Sequence, residues 1–268
     1  MTAIRPPAVA GTFYPADPRQ LEHAVSGLLA AVDVRPLATK ALISPHAGYI
    51  YSGAVAASAY ATLKSRATRI RRVVLLGPTH RIAVNGLALP DAEAFDTPLG
   101  RVRLDADAIH SVIRLPQVTV SNEVHELEHS LEVQLPFLQS VLDEFELLPL
   151  AVGDATPEEV AEVLDKVWGG DETLIIVSSD LSHYLPYAAA QYVDNKTAQD
   201  ILHLQQPIHH EQACGGTPIS GLIVAARKHH LQPHLLDLRN SGDTAGTRDR
   251  VVGYAAFAFT EEKNHVRH

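Results

Sequence analysis

Among 268 residues there is a single cysteine, Cys214. Without a second thiol no internal disulfide can form, and the chain fits a reducing, cytoplasmic setting. Long apolar runs are also missing. None approaches the ~20 residues that a membrane-spanning helix needs. The opening Met1-Thr2-Ala3-Ile4-Arg5-Pro6-Pro7 lacks the basic-then-apolar order of a secretory signal. Positive charge is in deficit, with 22 Lys and Arg against 31 Asp and Glu and a formal net charge of −9. That balance argues against an electrostatic footprint for nucleic acid. The densest basic patch, Arg66, Arg69, Arg71 and Arg72, is interrupted and reads as a solvated helix end. There is no Walker A sequence, no G-x-G-x-x-G and no G-x-S-x-G elbow, so nucleotide binding and α/β-hydrolase chemistry find no support.

Hydrophobic residues make up 46% of the chain, ample for a large core. Apolar runs and helix signals alternate along it. Asp17-Pro18 opens a helix that buries Leu21, Val25, Leu28, Leu29 and Val32. Strands are expected at about 40–44, 72–76, 146–152 and 173–177, that at 72–76 continuous and apolar as in a fully covered sheet and that at 173–177 likewise buried. Helices are expected at about 52–64, 105–114, 128–145, 156–169, 187–205 and 218–230, with a kink or break at Pro136. Residues 82–104 read as short strands and turns, 116–120 as an edge strand, and 235–238 and 251–259 as closing strands. No repeat, low-complexity tract or linker interrupts this order. The pattern predicts a single three-layer α/β domain over residues 1–268, an open, mostly parallel or mixed sheet with helices on both faces. The doublets His209-His210 and His229-His230, and the tail His265 and His268, read as surface or linker histidines.

Three strands deliver polar loops. Ser44-Pro45-His46-Ala47-Gly48-Tyr49 follows the first, Gly77-Pro78-Thr79-His80 the second, and Ser178-Ser179-Asp180-Leu181-Ser182-His183 the third. In a parallel sheet these ends share one edge, where ligands bind. Cys214 lies beside two glycines, a few residues before a helix, a placement that favours thiolate. His46, His80 and Cys214 together would make a facial site for iron, copper or zinc. His183 is the acid/base candidate, oriented or charged by Asp180. Tyr49 and Tyr51 either line the pocket or pack onto the sheet edge.

A competing motif is His125-Glu126-Leu127-Glu128-His129, an H-E-x-x-H match to zinc proteases. Its context is poor. His125 is expected to precede the helix, and no third ligand follows within a dozen residues. His129 and Glu128 are better read as outer groups that support the metal-bound histidines.

Taken in order, six motifs resemble the Memo family: Ala10-Gly11-Thr12-Phe13-Tyr14-Pro15, Ser44 to Tyr49 with Tyr51-Ser52-Gly53, Leu76 to His80, Glu128-His129-Ser130-Leu131-Glu132, Val177 to His183, and Cys214-Gly215 with Pro218-Ile219. They span about residues 8–259. The resemblance implies the fold of LigB-type class III extradiol dioxygenases. It also implies metal ligands at His46, His80 and Cys214, with Asp180 and His183 beside them. In animals the family is known as a mediator of receptor-driven cell motility. In prokaryotes it is called AmmeMemoRadiSam system protein B, which implies Amme-domain and radical SAM proteins as partners. The dioxygenases use two histidines and a carboxylate for iron, whereas here a thiolate would be third, so ring cleavage does not follow from fold. The expectation is a cytoplasmic, iron- or copper-dependent, dioxygenase-like oxidoreductase acting on a small molecule. The alternative is a binding module whose cleft recognises a peptide or partner protein.

Overall fold

The computed structural model describes residues 3–33 and 37–261, so the tail histidines His265 and His268 lie outside the described residues. Twelve strands are found there: β1 (Ile4–Arg5), β2 (Thr39–Ser44), β3 (Arg72–Pro78), β4 (Leu87–Leu89), β5 (Ala94–Thr97), β6 (Gly100–Arg103), β7 (Val118–Val120), β8 (Glu146–Val152), β9 (Thr173–Ser178), β10 (His183–Leu185), β11 (Leu231–Asn240) and β12 (Val251–Glu261). The α-helices are α1 (Pro18–Ala30), α2 (Tyr49–Tyr60), α3 (Ala106–Val112), α4 (Asn122–Glu126), α5 (Leu135–Val141), α6 (Pro157–Lys166), α7 (Tyr187–Leu202) and α8 (Gly216–Lys228).

The main sheet is mixed. Its centre runs β2-β9-β3-β8, all parallel. β12 closes one side antiparallel to β2, and β11 pairs with β12. β4 lies antiparallel to β8 and carries β7 at the other edge. A small sheet, β1-β5-β6, stands apart and buries Phe95.

Strand residues alternate between two cores, as the pleat requires. Leu42, Val73, Leu75, Leu174 and Ile176 meet α1, α2 and α5 on one face. Ile43, Val74, Leu76, Ile175 and Val177 meet α3, α6, α7 and α8 on the other. The result is three layers, as the alternation of elements predicts. Local signals act as read. Asp17 accepts the Gln20 N–H at 2.9 Å with Pro18 in the first turn, and Thr156 and Glu159 form a reciprocal capping box on α6. Gly221 lets α8 approach α6, since a Cβ there would lie 2.3 Å from the Val160 Cγ1.

Three expectations are corrected. No helix runs over 128–145. A one-turn 3₁₀ segment, Glu132–Gln134, leads into α5, where Pro136 sits in the first turn. That position has no intrahelical N–H bond to lose, so proline starts the helix instead of kinking it. His183 opens a strand, β10, instead of ending a loop. Arg66 is buried, not solvated: it donates to the Thr39 carbonyl at 2.7 Å and pairs with Asp171. No described helix is long and apolar enough to cross a membrane.

Candidate metal centre

Because β2, β9 and β3 are adjacent and parallel, their carboxyl ends open onto one edge. His46 stands two residues beyond β2, His80 two beyond β3, and Asp180 two beyond β9. A fourth segment, 127–131, crosses this edge and brings His129. Each of His46, His80 and His129 offers a nitrogen within 4.8 Å of the others. The rings of His80 and His129 stack at 4.6 Å, and His46 meets both edge-on at 5.1 and 5.4 Å.

Hydrogen bonds decide which nitrogens remain open. The Ser178 hydroxyl donates to the Ser130 carbonyl at 2.5 Å and accepts from Gln134 Nε2 at 2.7 Å. A hydroxyl has one proton and two lone pairs. Its remaining lone pair therefore takes the Nδ1–H of His46, 2.9 Å away, and leaves Nε2 as an acceptor. Gln134 is itself held by the Tyr60 hydroxyl at 2.7 Å. His80 is fixed by a carboxylate. Glu128 accepts its backbone N–H at 2.6 Å and its Nδ1–H at 2.9 Å, together with the N–H groups of His129 and Ser130. Burial works to raise the Glu128 pKa, but these donors outweigh it and hold the carboxyl at about 2.

Burial keeps two of these imidazoles, His46 and His129, neutral, the form that ligates. Burial, then the positive forms of His80 and His129, pushes His46 well below the usual imidazole range. Burial brings His129 down to about 4 although Glu128 pulls the other way. Three imidazoles, two with one nitrogen pinned and the other open, fit a borderline transition metal ion.

Cys214 lies against this group with its sulfur 3.3 Å from His46 Nε2. It is not within the mutual reach of the three imidazoles. Burial, followed by the nearby Asp180 carboxyl, pushes its thiol up to about 12. The thiolate expected from a helix N-terminus is thus overturned, because desolvation of the charge outweighs the dipole. Asp180 does not orient His183. Its Oδ1 accepts the His46 N–H at 2.8 Å, and its own carbonyl accepts the Cys214 N–H at 3.2 Å. Asp180 thereby joins the first loop to the cysteine segment, and burial raises its carboxyl to about 7 against the His46 and Ala47 amides. His183 is half-buried, its pKa lowered by burial, and lines a cleft of about 760 Å³ together with His80 and Cys214.

Tyr49 packs into the core between Tyr14 and Phe137 and donates to the Val133 carbonyl at 2.8 Å. Tyr51 is 36% exposed and is not on that cleft's wall. The zinc-protease arrangement is absent. α4 ends at Glu126, so His125 and His129 do not share a helix, and His125 Nε2 is spent on the Ala88 carbonyl at 2.8 Å. Sequence reasoning missed the groups behind the cluster: Ser178, Ser130, Gln134, Glu132 and Arg5. Fully buried Glu132 accepts from Arg5, the Ala8 and Val9 amides and the Tyr14 hydroxyl at 2.6–3.0 Å. Arg5 also donates to the His125 and Glu128 carbonyls, so the N-terminal segment braces the strand of chain that carries His129. The signal available was the polar residues of the Glu128–Glu132 motif, each of which has a partner here.

A family model described as Memo-like protein matches residues 5–258. A MEMO1 family protein of Methanosarcina barkeri is 36% identical over 94% of this chain and 98% of its own length. One from Aquifex aeolicus is 33% identical over 96% and 99%. Among solved structures, an uncharacterized protein from Escherichia coli K12 matches with a TM-score of 0.55 at 13% identity, covering 82% of this chain and 98% of that one, a likeness of fold.

Proposed function

This chain belongs to the Memo-like protein family, and on that premise we propose that it is a metal-binding protein that holds iron or copper in a redox site of dioxygenase-like chemistry. The observation that carries the reading is the trio of imidazoles from three separate chain segments, with nitrogens within 4.8 Å of one another. His46, His80 and His129 would be the ligands; Cys214, whose sulfur lies 3.3 Å from His46 Nε2 but outside the reach the three imidazoles share, would join them only after a shift toward His80 and His129. A bound ion would lower the thiol pKa outright.

Iron or copper at this edge would supply Lewis acidity and one-electron chemistry. The protein's own groups do the rest. Ser178 and Glu128 set the imidazole tautomers, Asp180 fixes the His46 loop, and His183 is the proton donor or acceptor on the cleft wall. Zinc fits the same donors, so the test must separate the metals. Protein purified and loaded anaerobically is analysed for elements and then followed by electron paramagnetic resonance through a cycle of oxidation and reduction. About one iron or copper per chain with a reversible signal is expected. Zinc alone, silent throughout, contradicts the redox reading; no bound metal contradicts the whole of it.

A further inference from the structure

Two residues of the His125-Glu126-Leu127-Glu128-His129 string, His125 and Glu126, are not used by the metal centre. Both line a separate cavity of about 160 Å³ between the N-terminal segment, the turn after β4 and α4. It shares no residue with the cleft beside the imidazoles. Its volume lies below the ~300–1,000 Å³ of drug-sized sites, so it suits a ligand of a few heavy atoms. Ile4, Pro6, Pro90 and Ala92 give it an apolar wall. His125 is 2% exposed. Its Nε2 carries the proton, because it faces the Ala88 carbonyl at 2.8 Å and a carbonyl only accepts. Burial brings the ring down to about 4 and so keeps it neutral, which leaves a lone pair on Nδ1. No described residue donates to that lone pair. Asp91 and Glu126 are exposed on the same lining, and among the described residues neither has an ion-pair partner. The one cation on the wall, Arg5, is already neutralised. Its Nη1 pairs with Glu132 at 2.7 Å, and its Nε and Nη2 donate to the His125 and Glu128 carbonyls. His125, Asp91 and Glu126 do not draw close enough to share a metal ion; among the described residues only His46, His80 and His129 do.

We propose that this cavity binds a small apolar primary amine in its ammonium form, the nitrogen donating to His125 Nδ1 and the carbon chain lying on Ile4, Pro6, Pro90 and Ala92. A ring so deeply buried has little water to satisfy its lone pair, and an N–H from the ligand supplies the missing donor. Asp91 and Glu126 favour a positive ligand over a neutral or negative one. An organic cation extends between groups too far apart for one metal ion to bridge. The apolar wall selects a carbon chain over bare ammonium. The cavity is independent of the metal, since none of the three imidazoles lines it.

The probe is n-butylamine, charged at pH 7 as a lysine side chain is. It is titrated into the full chain labelled with ¹⁵N-histidine, at physiological ionic strength, with n-butanol, butyrate and methylamine as controls. Butylamine is expected to move the His125 Nδ1 resonance. It should bind about fivefold more tightly than butanol and at least tenfold more tightly than methylamine, and butyrate should not bind. Asp91→Asn combined with Glu126→Gln, both exposed positions, should bring butylamine down to the affinity of butanol. Ala92→Leu fills the cavity and should abolish the Nδ1 shift, an effect that loose attraction of an amine to a chain of net charge −9 would not show. In the wild type, no shift at His125 Nδ1 or equal affinity for butyrate overturns the proposal. So does a response that survives Ala92→Leu or is untouched by the paired carboxylate substitutions.

Discussion

At the scale of single residues the centre depends on one hydroxyl. Ser178 is fully buried and satisfies three partners at once: the Ser130 carbonyl, the Gln134 amide and the His46 Nδ1–H. Ser178→Ala leaves all three without their partner. An unsatisfied buried polar group costs about 1–3 kcal/mol, so the melting temperature should fall by several degrees. The His46 tautomer is then no longer imposed, and metal affinity should drop about 10–100-fold, the usual effect of losing a group behind a ligand. Calorimetric melting and metal titration read the two effects separately; a variant that melts lower but binds metal equally well would show that the hydroxyl serves only the fold. How much of this was legible differs by residue. His46 and His80 declared themselves because each follows an apolar strand and a turn. His129 did not, since its segment has no regular structure and its neighbour Glu126 invited a zinc-protease reading. Ser178 looked like any polar residue at a strand end. Its role comes from Gln134 and Ser130, distant in sequence and adjacent only once folded.

At the scale of elements the informative misreading is the stretch after His129. Its apolar residues suggest one long helix, whereas the chain spends Glu128–Gln134 on hydrogen bonds to three other segments before α5 begins. Side-chain bonding to distant backbone competes with helical bonding, and no local periodicity records it. Pro136 lies in the first turn of α5, where its missing N–H is no loss. Pro136→Ala is therefore expected to change stability by less than about 1 kcal/mol in denaturant unfolding. A gain of about 3 kcal/mol, as expected for relief of an interior proline, would return the segment to a kinked helix. Strand ends were legible to within a residue or two, because β3, β8 and β9 are bounded by turns and charged residues. β11 was not: only Leu235, Leu236 and Leu238 in its middle are apolar among polar residues, yet it pairs with β12 from Leu231 to Asn240.

At the scale of the whole molecule, function depends on strand order, and no local signal in the chain states that order. The arrangement β2-β9-β3 sets the first, third and second polar loops side by side. α7 holds this edge from below through Asp194, whose carboxylate accepts the Ser182 N–H at 3.0 Å and occupies the space where a side chain at Gly253 would stand. Burial raises the Asp194 pKa to about 6 from 3.8, against the Ser182 hydrogen bonds. A carboxyl whose folded pKa lies above its unfolded one keeps its proton longer in the fold. Its contribution is thus fully present below about pH 4 and is lost as pH rises through about 6. Wild type should lose about 2–3 kcal/mol relative to Asp194→Asn between pH 4 and pH 7 in urea unfolding. A difference independent of pH would mean that Asp194 ionises in the fold as it does in the unfolded chain.

The central claim is that three imidazoles from three remote segments hold one ion. Anaerobic titration of iron(II) or copper(I) into the wild type and into His46→Ala, His80→Ala and His129→Ala, each first confirmed folded by circular dichroism, tests it most directly. The wild type should bind about one ion per chain, and each variant should lose affinity by about a hundredfold or more. Unchanged binding by folded His129→Ala would contradict the three-imidazole centre.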